Sequence, residues 1–306
     1  MQFPDFFIIG APKCGTTALY NYLAGHPGIF MGYPKEPNYY CEDLVSIRRT
    51  PTLEQYEKVF AGAQTGVLRG EASPWYLYSK SAVRLILADN PAAKFIVCLR
   101  NPVDMFLSYQ YQLQFNLIGE LSNPENAWRN QGAWPAGPAV NASQGRPDFG
   151  GICRLGEQSR RLLQTVDRSR VLFVFFDDMV RDMRGVYEEI LRFIGTPSNG
   201  RTEFPVHNQR KAHRFPALTR ILMRPPFPLN YIKRAVVALV RLRWKNPASI
   251  YDGVLSKPHT QSAVRIEFRD ELTAYFSDDV ALLESLTGRD LSAWRKLSDR
   301  PARISA

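Results

Sequence analysis

An apolar run at residues 6–10 gives way to the loop Gly10-Ala-Pro-Lys-Cys-Gly-Thr-Thr17, after which Ala18, Leu19, Tyr22 and Leu23 recur at helical spacing. A strand, a glycine-bearing loop and a helix within so few residues sharply limit the architectures open to the chain. A strand this short and this apolar has to be covered on both faces, which points to the interior of a parallel sheet. The loop itself has the ingredients of an anion cradle: glycines that let backbone amides approach oxygens, a lysine, two hydroxyls, and a helix N-terminus behind them.

The same alternation repeats downstream. Residues 66–70 read as a strand, and Val83, Ile86 and Leu87 within 81–88 fit one face of a helix. A third strand at 94–99 ends at Arg100. Asn101 can cap the helix that follows, with Pro102 at its first position, where a missing N–H costs nothing, and that helix runs to about Phe115. A helix at 155–166, an apolar strand at 171–176 and a helix with Val186, Tyr187, Ile190, Leu191 and Ile194 on one face complete the pattern. Strands alternating with helices predict an α/β protein, a three-layer fold with a central parallel sheet flanked by helices. The 306 residues are expected to form one domain, with a glycine- and proline-rich surface insertion at 122–151 carrying Trp128 and Trp134, and a helical C-terminal region at 216–306. In open parallel sheets ligands bind beyond the carboxyl ends of the strands, where the loops after Ile9 and Leu99 both lie.

Charge narrows the ligand without choosing it. A formal charge of +10 suits an anionic small molecule, a nucleic acid or an anionic membrane surface. The basic residues are dispersed apart from two clusters and no nucleic-acid motif is present, so a nucleic-acid-binding module is the weaker reading; a steep salt slope of binding would be its mark. Cys14, Cys41, Cys98 and Cys153 are scattered and form no CxxC pair or Cys/His cluster, which argues against disulfides and against zinc. The opening MQFPDFFIIG is too short an apolar stretch for a signal segment, and no run reaches the roughly 18 apolar residues of a membrane span. A cytoplasmic protein is expected. Residues 231–245, YIKRAVVALVRLRWK, mix an apolar face with Lys233, Arg234, Arg241, Arg243 and Lys245, a pattern that suits first a helix packed on the domain with its charges in water, and otherwise a peripheral contact with the inner face of a membrane or a polyanionic or lipid-linked acceptor.

The cradle is related to a nucleotide-triphosphatase P-loop but differs from it. There the lysine directly follows the second glycine; here Gly15 is followed by Thr16, and the lysine is Lys13. Taken with Arg100-Asn-Pro-Val-Asp-Met-Phe-Leu-Ser108, the loop resembles the two segments with which sulfotransferases bind 3′-phosphoadenosine 5′-phosphosulfate (PAPS). The resemblance implies that Lys13, Cys14, Gly15, Thr16 and Thr17 hold the 5′-phosphosulfate and that Arg100 and Ser108 hold the 3′-phosphate. It extends along the chain through Gly70-Glu-Ala-Ser-Pro-Trp-Tyr76, Phe176-Asp-Asp-Met179 and the C-terminal LESLTGRDLSAW, which is similar to the end of bacterial members. His207-Asn-Gln-Arg-Lys-Ala-His-Arg214 resembles the basic loop that closes over the nucleotide, with Arg214 as the phosphate contact ahead of Arg210 and Lys211.

Within that family Lys35-Glu-Pro-Asn-Tyr-Tyr40 looks most like the carboxylate-base branch that includes the heparan sulfate sulfotransferases. Glu36 is then the base, Lys13 neutralises charge on the departing oxygen, and no metal is needed. None of His26, His207, His213 and His259 sits in a motif that supports a histidine base. The heparan-type enzymes often carry a lysine where this chain has Ala72, so a second catalytic cation is either missing or supplied from elsewhere. The acceptor is expected to be a hydroxyl, or an amine, of a carbohydrate, glycolipid or small molecule, shaped in part by 122–151. The rival enzyme class is a P-loop kinase or NTPase, with 171–178 as an apolar strand ending in a magnesium-binding aspartate.

Overall fold

The computed structural model describes residues 3–115, 123–131, 148–205, 211–213, 256–258 and 264–298. Five short strands, β1 (Phe6–Ile8), β2 (Ile29–Met31), β3 (Leu68–Ala72), β4 (Lys94–Leu99) and β5 (Val171–Phe175), pair in parallel in the order β2-β3-β1-β4-β5. The central strand β1 matches Ile8 to Ala72 on one side and to Ile96 on the other. Phe6, Phe7 and Ile8 are at most 1% exposed, as a strand flanked on both edges and covered on both faces must be.

Helices α1 (Thr16–Ala24), α2 (Leu53–Lys58), α3 (Ala82–Asp89), α4 (Pro102–Phe115), α5 (Pro124–Arg129), α6 (Phe149–Cys153), α7 (Leu155–Leu163), α8 (Phe176–Arg181) and α9 (Met183–Ile194) follow the alternation. α1 packs against β2 and β3, and α9 against β5. α9 turns Val186, Tyr187, Ile190, Leu191 and Ile194 into the core and stops at Gly195, whose φ of 87° permits the left-handed cap. Residues 211–213 and 256–258 form the antiparallel strands β6 (Lys211–His213) and β7 (Ser256–Pro258). α10 (Ile266–Thr287) packs on α7 and α4, and α11 (Ser292–Arg295) on α10.

Two expectations are corrected. Trp128 is not on a surface insertion: it lies on α5, 6% exposed, with its ring edge-on to Phe106 at 5.3 Å and Tyr275 at 5.0 Å. Its burial depends on α10, which joins it from 140 residues away, so no local pattern announces it. The stretch 216–306 is not wholly helical, because it contains β7, which pairs with β6 just before it. β3 begins and ends two residues later than the 66–70 that its sequence pattern predicts, whereas β4 keeps the predicted bounds 94–99. Trp134 and 231–245 lie outside the described residues. Among the described residues no helix is long and apolar enough to cross a membrane.

Candidate functional site

The loop after β1 is held hard against β4. Ile9 N–H donates to Ile96 O at 2.9 Å and Ala11 N–H to Cys98 O at 3.0 Å, and a Cβ on Gly10 would lie 1.9 Å from Cys98 N. Only glycine allows the two backbones to meet there. The loop then turns through two left-handed residues, Lys13 (φ 67°) and Gly15 (φ 85°), before α1 starts at Thr16. No side chain caps α1. Ala18 N–H donates to Gly15 O at 3.0 Å, but among the described residues the amides of Thr16 and Thr17 have neither an intrahelical acceptor nor a capping oxygen, and with the helix dipole they make an anion seat. Thr16 is 4% exposed and Thr17 half-buried beside it. Cys14 contributes backbone only: its thiol is buried, donates to Pro12 O at 3.5 Å, and is driven well above the usual thiol range by burial.

Gly15 is propped from below by Met179, whose Cε would sit 2.7 Å from an added Cβ. The methionine tip can yield, whereas the positive φ cannot be had cheaply by alanine. Gly15→Ala is expected to lower unfolding stability by about 1–3 kcal/mol, read as a lower denaturant midpoint. An unchanged midpoint would contradict the assigned loop conformation.

Arg100 leaves β4 at the same edge. Its Nη1 donates to Lys13 O at 3.1 Å, and its guanidinium lies over the Phe176 ring, 4.3 Å from the centroid. A guanidinium stacked on one face and tied at one nitrogen keeps its planar fork in a fixed direction. Asn101 Oδ1 accepts from the amides of Val103 at 2.9 Å and Asp104 at 3.4 Å, so α4, unlike α1, is closed by its own cap. Ser108, on the second turn of α4, is 6% exposed.

The third component is the loop that precedes α2. Glu36 (φ 63°) and Asn38 (φ 51°) are left-handed. Among the described residues they and Lys13 are the three non-glycine positions with positive φ. Each costs about 1–2 kcal/mol, and such residues persist where the surroundings over-determine them, commonly at functional sites. Glu36 N–H donates to Ala72 O at 3.1 Å, and Ser73 N–H to Ile8 O at 3.1 Å, which ties this loop, the end of β3 and the end of β1 into one edge. The Glu36 carboxylate, 30% exposed, receives Lys35 Nζ on Oε1 at 2.5 Å. Lys35 is 14% exposed. Burial pushes the Cys98 thiol on β4 up to about 12, with the Lys35 ammonium opposing the rise.

Behind this loop lies a buried acid that sequence reading passed over. Glu71 is fully buried; its Oε1 accepts from Ser73 Oγ at 2.5 Å, and its Oε2 from the hydroxyls of Tyr56 at 2.5 Å and Tyr76 at 3.2 Å. Burial raises its carboxyl to about 7, with the three hydroxyls pulling the other way. Because the folded value lies above the ordinary 4.5, the folded chain keeps a proton that the unfolded chain releases. Stability from this group is complete below pH 4.5 and is lost as pH rises to about 7. Glu71→Gln is expected to remove that fall, worth ~3 kcal/mol across the window, in denaturant titrations at successive pH values. Parallel slopes for both proteins would contradict it.

The structure thus brings Lys13, Gly15, Thr16, Thr17, Arg100 and Glu36 to the carboxyl edge of β1, β3 and β4; Arg214 lies outside the described residues. Sequence reading gave no role to Lys35, Glu71, Phe176 or Met179. Only the quoted segments carrying them were a signal. Asp178, the magnesium ligand of the kinase reading, is spoken for: Arg289 holds both its oxygens, at 2.6 and 2.8 Å, and Arg181 adds a further contact. Its neighbour Asp177 accepts from Trp294 Nε1 at 2.9 Å.

An all-parallel sheet whose central strand runs through a glycine loop into an uncapped helix is a P-loop-like α/β fold. The family model for the sulfotransferase domain matches residues 3–215, and the chain belongs to that family. It is 29% identical over 199 residues to human heparan sulfate glucosamine 3-O-sulfotransferase 6, covering 63% of this chain and 53% of that protein. It is 33% identical over 116 residues to the membrane-associated sulfotransferase kil1 of Dictyostelium discoideum, covering 37% and 24%. The chain therefore spans about half the length of the first relative and a quarter of the second. The crystal structure of a sulfotransferase from Alicyclobacillus acidocaldarius superposes with a TM-score of 0.69 at 23% identity, covering 97% of this chain and all of that one, and shares its fold.

Proposed function

We propose that the chain transfers a sulfuryl group from PAPS to a hydroxyl, or an amine, of a carbohydrate, glycolipid or small-molecule acceptor. The observation that carries this reading is the bond from Arg100 to Lys13 O, which joins an open helix end to a stacked guanidinium at one sheet edge. Two anion-binding elements at one sheet edge suit a donor that carries one phosphate on the 5′ oxygen and another on the 3′ oxygen of its ribose. When bound, the donor supplies the sulfuryl group and leaves as adenosine 3′,5′-bisphosphate.

The roles of this chain's own groups follow from their chemistry. Lys13 and the amides at Gly15, Thr16 and Thr17 hold the 5′ anion, and Lys13 balances charge on the departing oxygen. Arg100, with Ser108, holds the 3′-phosphate by a charge-assisted fork. Glu36 takes the acceptor's proton: Lys35 occupies Oε1, and among the described residues Oε2 has no hydrogen-bond partner. Lys35 supplies a cation beside the base, the place left open by Ala72. Arg214 would add a phosphate contact from the basic loop, and 122–151 would border the acceptor.

The test is transfer of labelled sulfate from PAPS to a panel of oligosaccharides, glycolipids and small alcohols or amines, with and without a chelator. Transfer that survives chelation supports the reading. ATP turnover that requires magnesium, with no transfer from PAPS, would replace it by the kinase reading, against which the Arg289 pairing of Asp178 speaks.

A further inference from the structure

We propose that Glu71 is a positioning residue for the reaction: by taking the hydrogens of the Ser73 and Tyr76 hydroxyls it turns their lone pairs to the Asn38 and Tyr40 amides, and so fixes the loop that presents Glu36. The positioning step rests on the assignment of Glu36 as base; the hold on the loop does not.

A hydroxyl has one hydrogen to give. Ser73 gives its hydrogen to Glu71 Oε1 and accepts from Asn38 N–H at 3.2 Å. Tyr76 gives its hydrogen to Glu71 Oε2 and accepts from Tyr40 N–H at 3.4 Å. Both hydroxyls are thus polarised the same way by one carboxylate, the form Glu71 takes as pH rises through about 7, so the variants are compared above that pH. With Glu36 N–H on Ala72 O, three alternate amides of the loop, those of residues 36, 38 and 40, are tied to the segment Ala72–Tyr76. The loop needs this hold, because Glu36 and Asn38 stand in a backbone region that non-glycine residues disfavour.

A packing role alone does not account for the acid. Glu71 is fully buried and forms no ion pair among the described residues; its three partners are hydroxyls. An apolar side chain would fill the same space without the desolvation that a buried carboxylate suffers. What an apolar residue could not do is fix which way two hydroxyls point. The third hydroxyl, Tyr56 on α2, steadies Glu71 from the far end of the same loop, and its ring stacks on Tyr39 with centroids 4.4 Å apart.

Glu71→Gln keeps the size of the side chain but presents amide hydrogens to the hydroxyls, forcing at least one to reverse. In the full chain, hydrogen exchange at the amides of Asn38 and Tyr40 is expected to quicken by about tenfold or more. Turnover should fall by about 10–10²-fold, with the KM for PAPS and the affinity for adenosine 3′,5′-bisphosphate within about twofold of the wild type. In a Glu36→Gln background the same change should cost no further turnover, since Glu71 acts through Glu36. Unaltered exchange at Asn38 and Tyr40, or losses that multiply in the double variant, would overturn the proposal. Wild-type turnover in Glu36→Gln alone removes the base assignment, and the exchange measurement then still decides whether Glu71 holds the loop. Should Glu71→Gln not fold, Tyr76→Phe removes one hydroxyl only: faster exchange at Tyr40 with lower turnover supports the proposal, and no change in either sinks it.

Discussion

Replacing Glu36 by glutamine lowers turnover by about 10²-fold or more while leaving affinity for adenosine 3′,5′-bisphosphate within about twofold. The size of the loss follows from the role. An acceptor hydroxyl is a weak nucleophile at neutral pH, and a positioned base typically contributes about 10²–10⁴-fold. The substitution is nearly isosteric, and Glu36 is held by its backbone, through Ala72 O, so the loop keeps its course when the carboxylate goes. The Lys35 contact survives in weakened form, because an amide oxygen still accepts from an ammonium. Donor affinity is spared because the residues assigned to the donor stand on the loops after β1 and β4, on α1 and α4, and at Arg214, none of them on the loop that carries Glu36. Steady-state rates against both substrates, alongside calorimetric titration, separate the two quantities. Wild-type turnover would remove Glu36 from the mechanism; loss of donor affinity would make it a donor-site residue instead.

Lys13→Ala is expected to damage both quantities together. Removal of one charge-stabilising donor from a preorganised site costs about 10²–10³-fold in rate, and the same ammonium stands at the 5′ anion in the ground state. Lys13 is also one of the left-handed residues, and its carbonyl is the acceptor that orients Arg100. Alanine keeps that carbonyl but bears the same backbone penalty, so the second phosphate contact is expected to persist. Donor affinity should therefore fall by about tenfold or more without vanishing, and kcat by about 10²-fold or more. Lys13→Arg tests charge against shape, since a guanidinium restores charge but not the compact point contact of an ammonium. A fall in affinity alone, with kcat intact, would confine Lys13 to binding.

The parts of this architecture that were legible in the sequence are those written locally. The segment running from β4 through Arg100, Asn101 and Pro102 into α4 was readable because strand period, cap and first-turn proline are all set within a few residues, and Asn101 does cap α4. The loop after β1 was readable because its glycines, lysine and helix start are contiguous. What was illegible is carried by distant partners. Trp128 reads as a loop tryptophan until α10 supplies Tyr275 and Phe276. In β3 the sequence GVLRG draws the eye two residues early, because Glu71 looks like a strand end; its hydroxyl partners at 56, 73 and 76 are what allow it inside the sheet edge. Lys35 shows its value only through its contact with Glu36. Arg214 and the basic stretch 231–245 fall outside the described residues and remain expectations from sequence.

The central claim is that the joined loops after β1 and β4 recognise a nucleotide bearing a 3′-phosphate. Calorimetric titration of the full chain with adenosine 3′,5′-bisphosphate, against ADP and AMP and without added metal, tests it most directly. Tight binding of the bisphosphate that is weakened by about tenfold or more in AMP, and again in Arg100→Ala, is the predicted result. Equal binding of all three nucleotides, or none, would contradict the account and reopen the kinase reading.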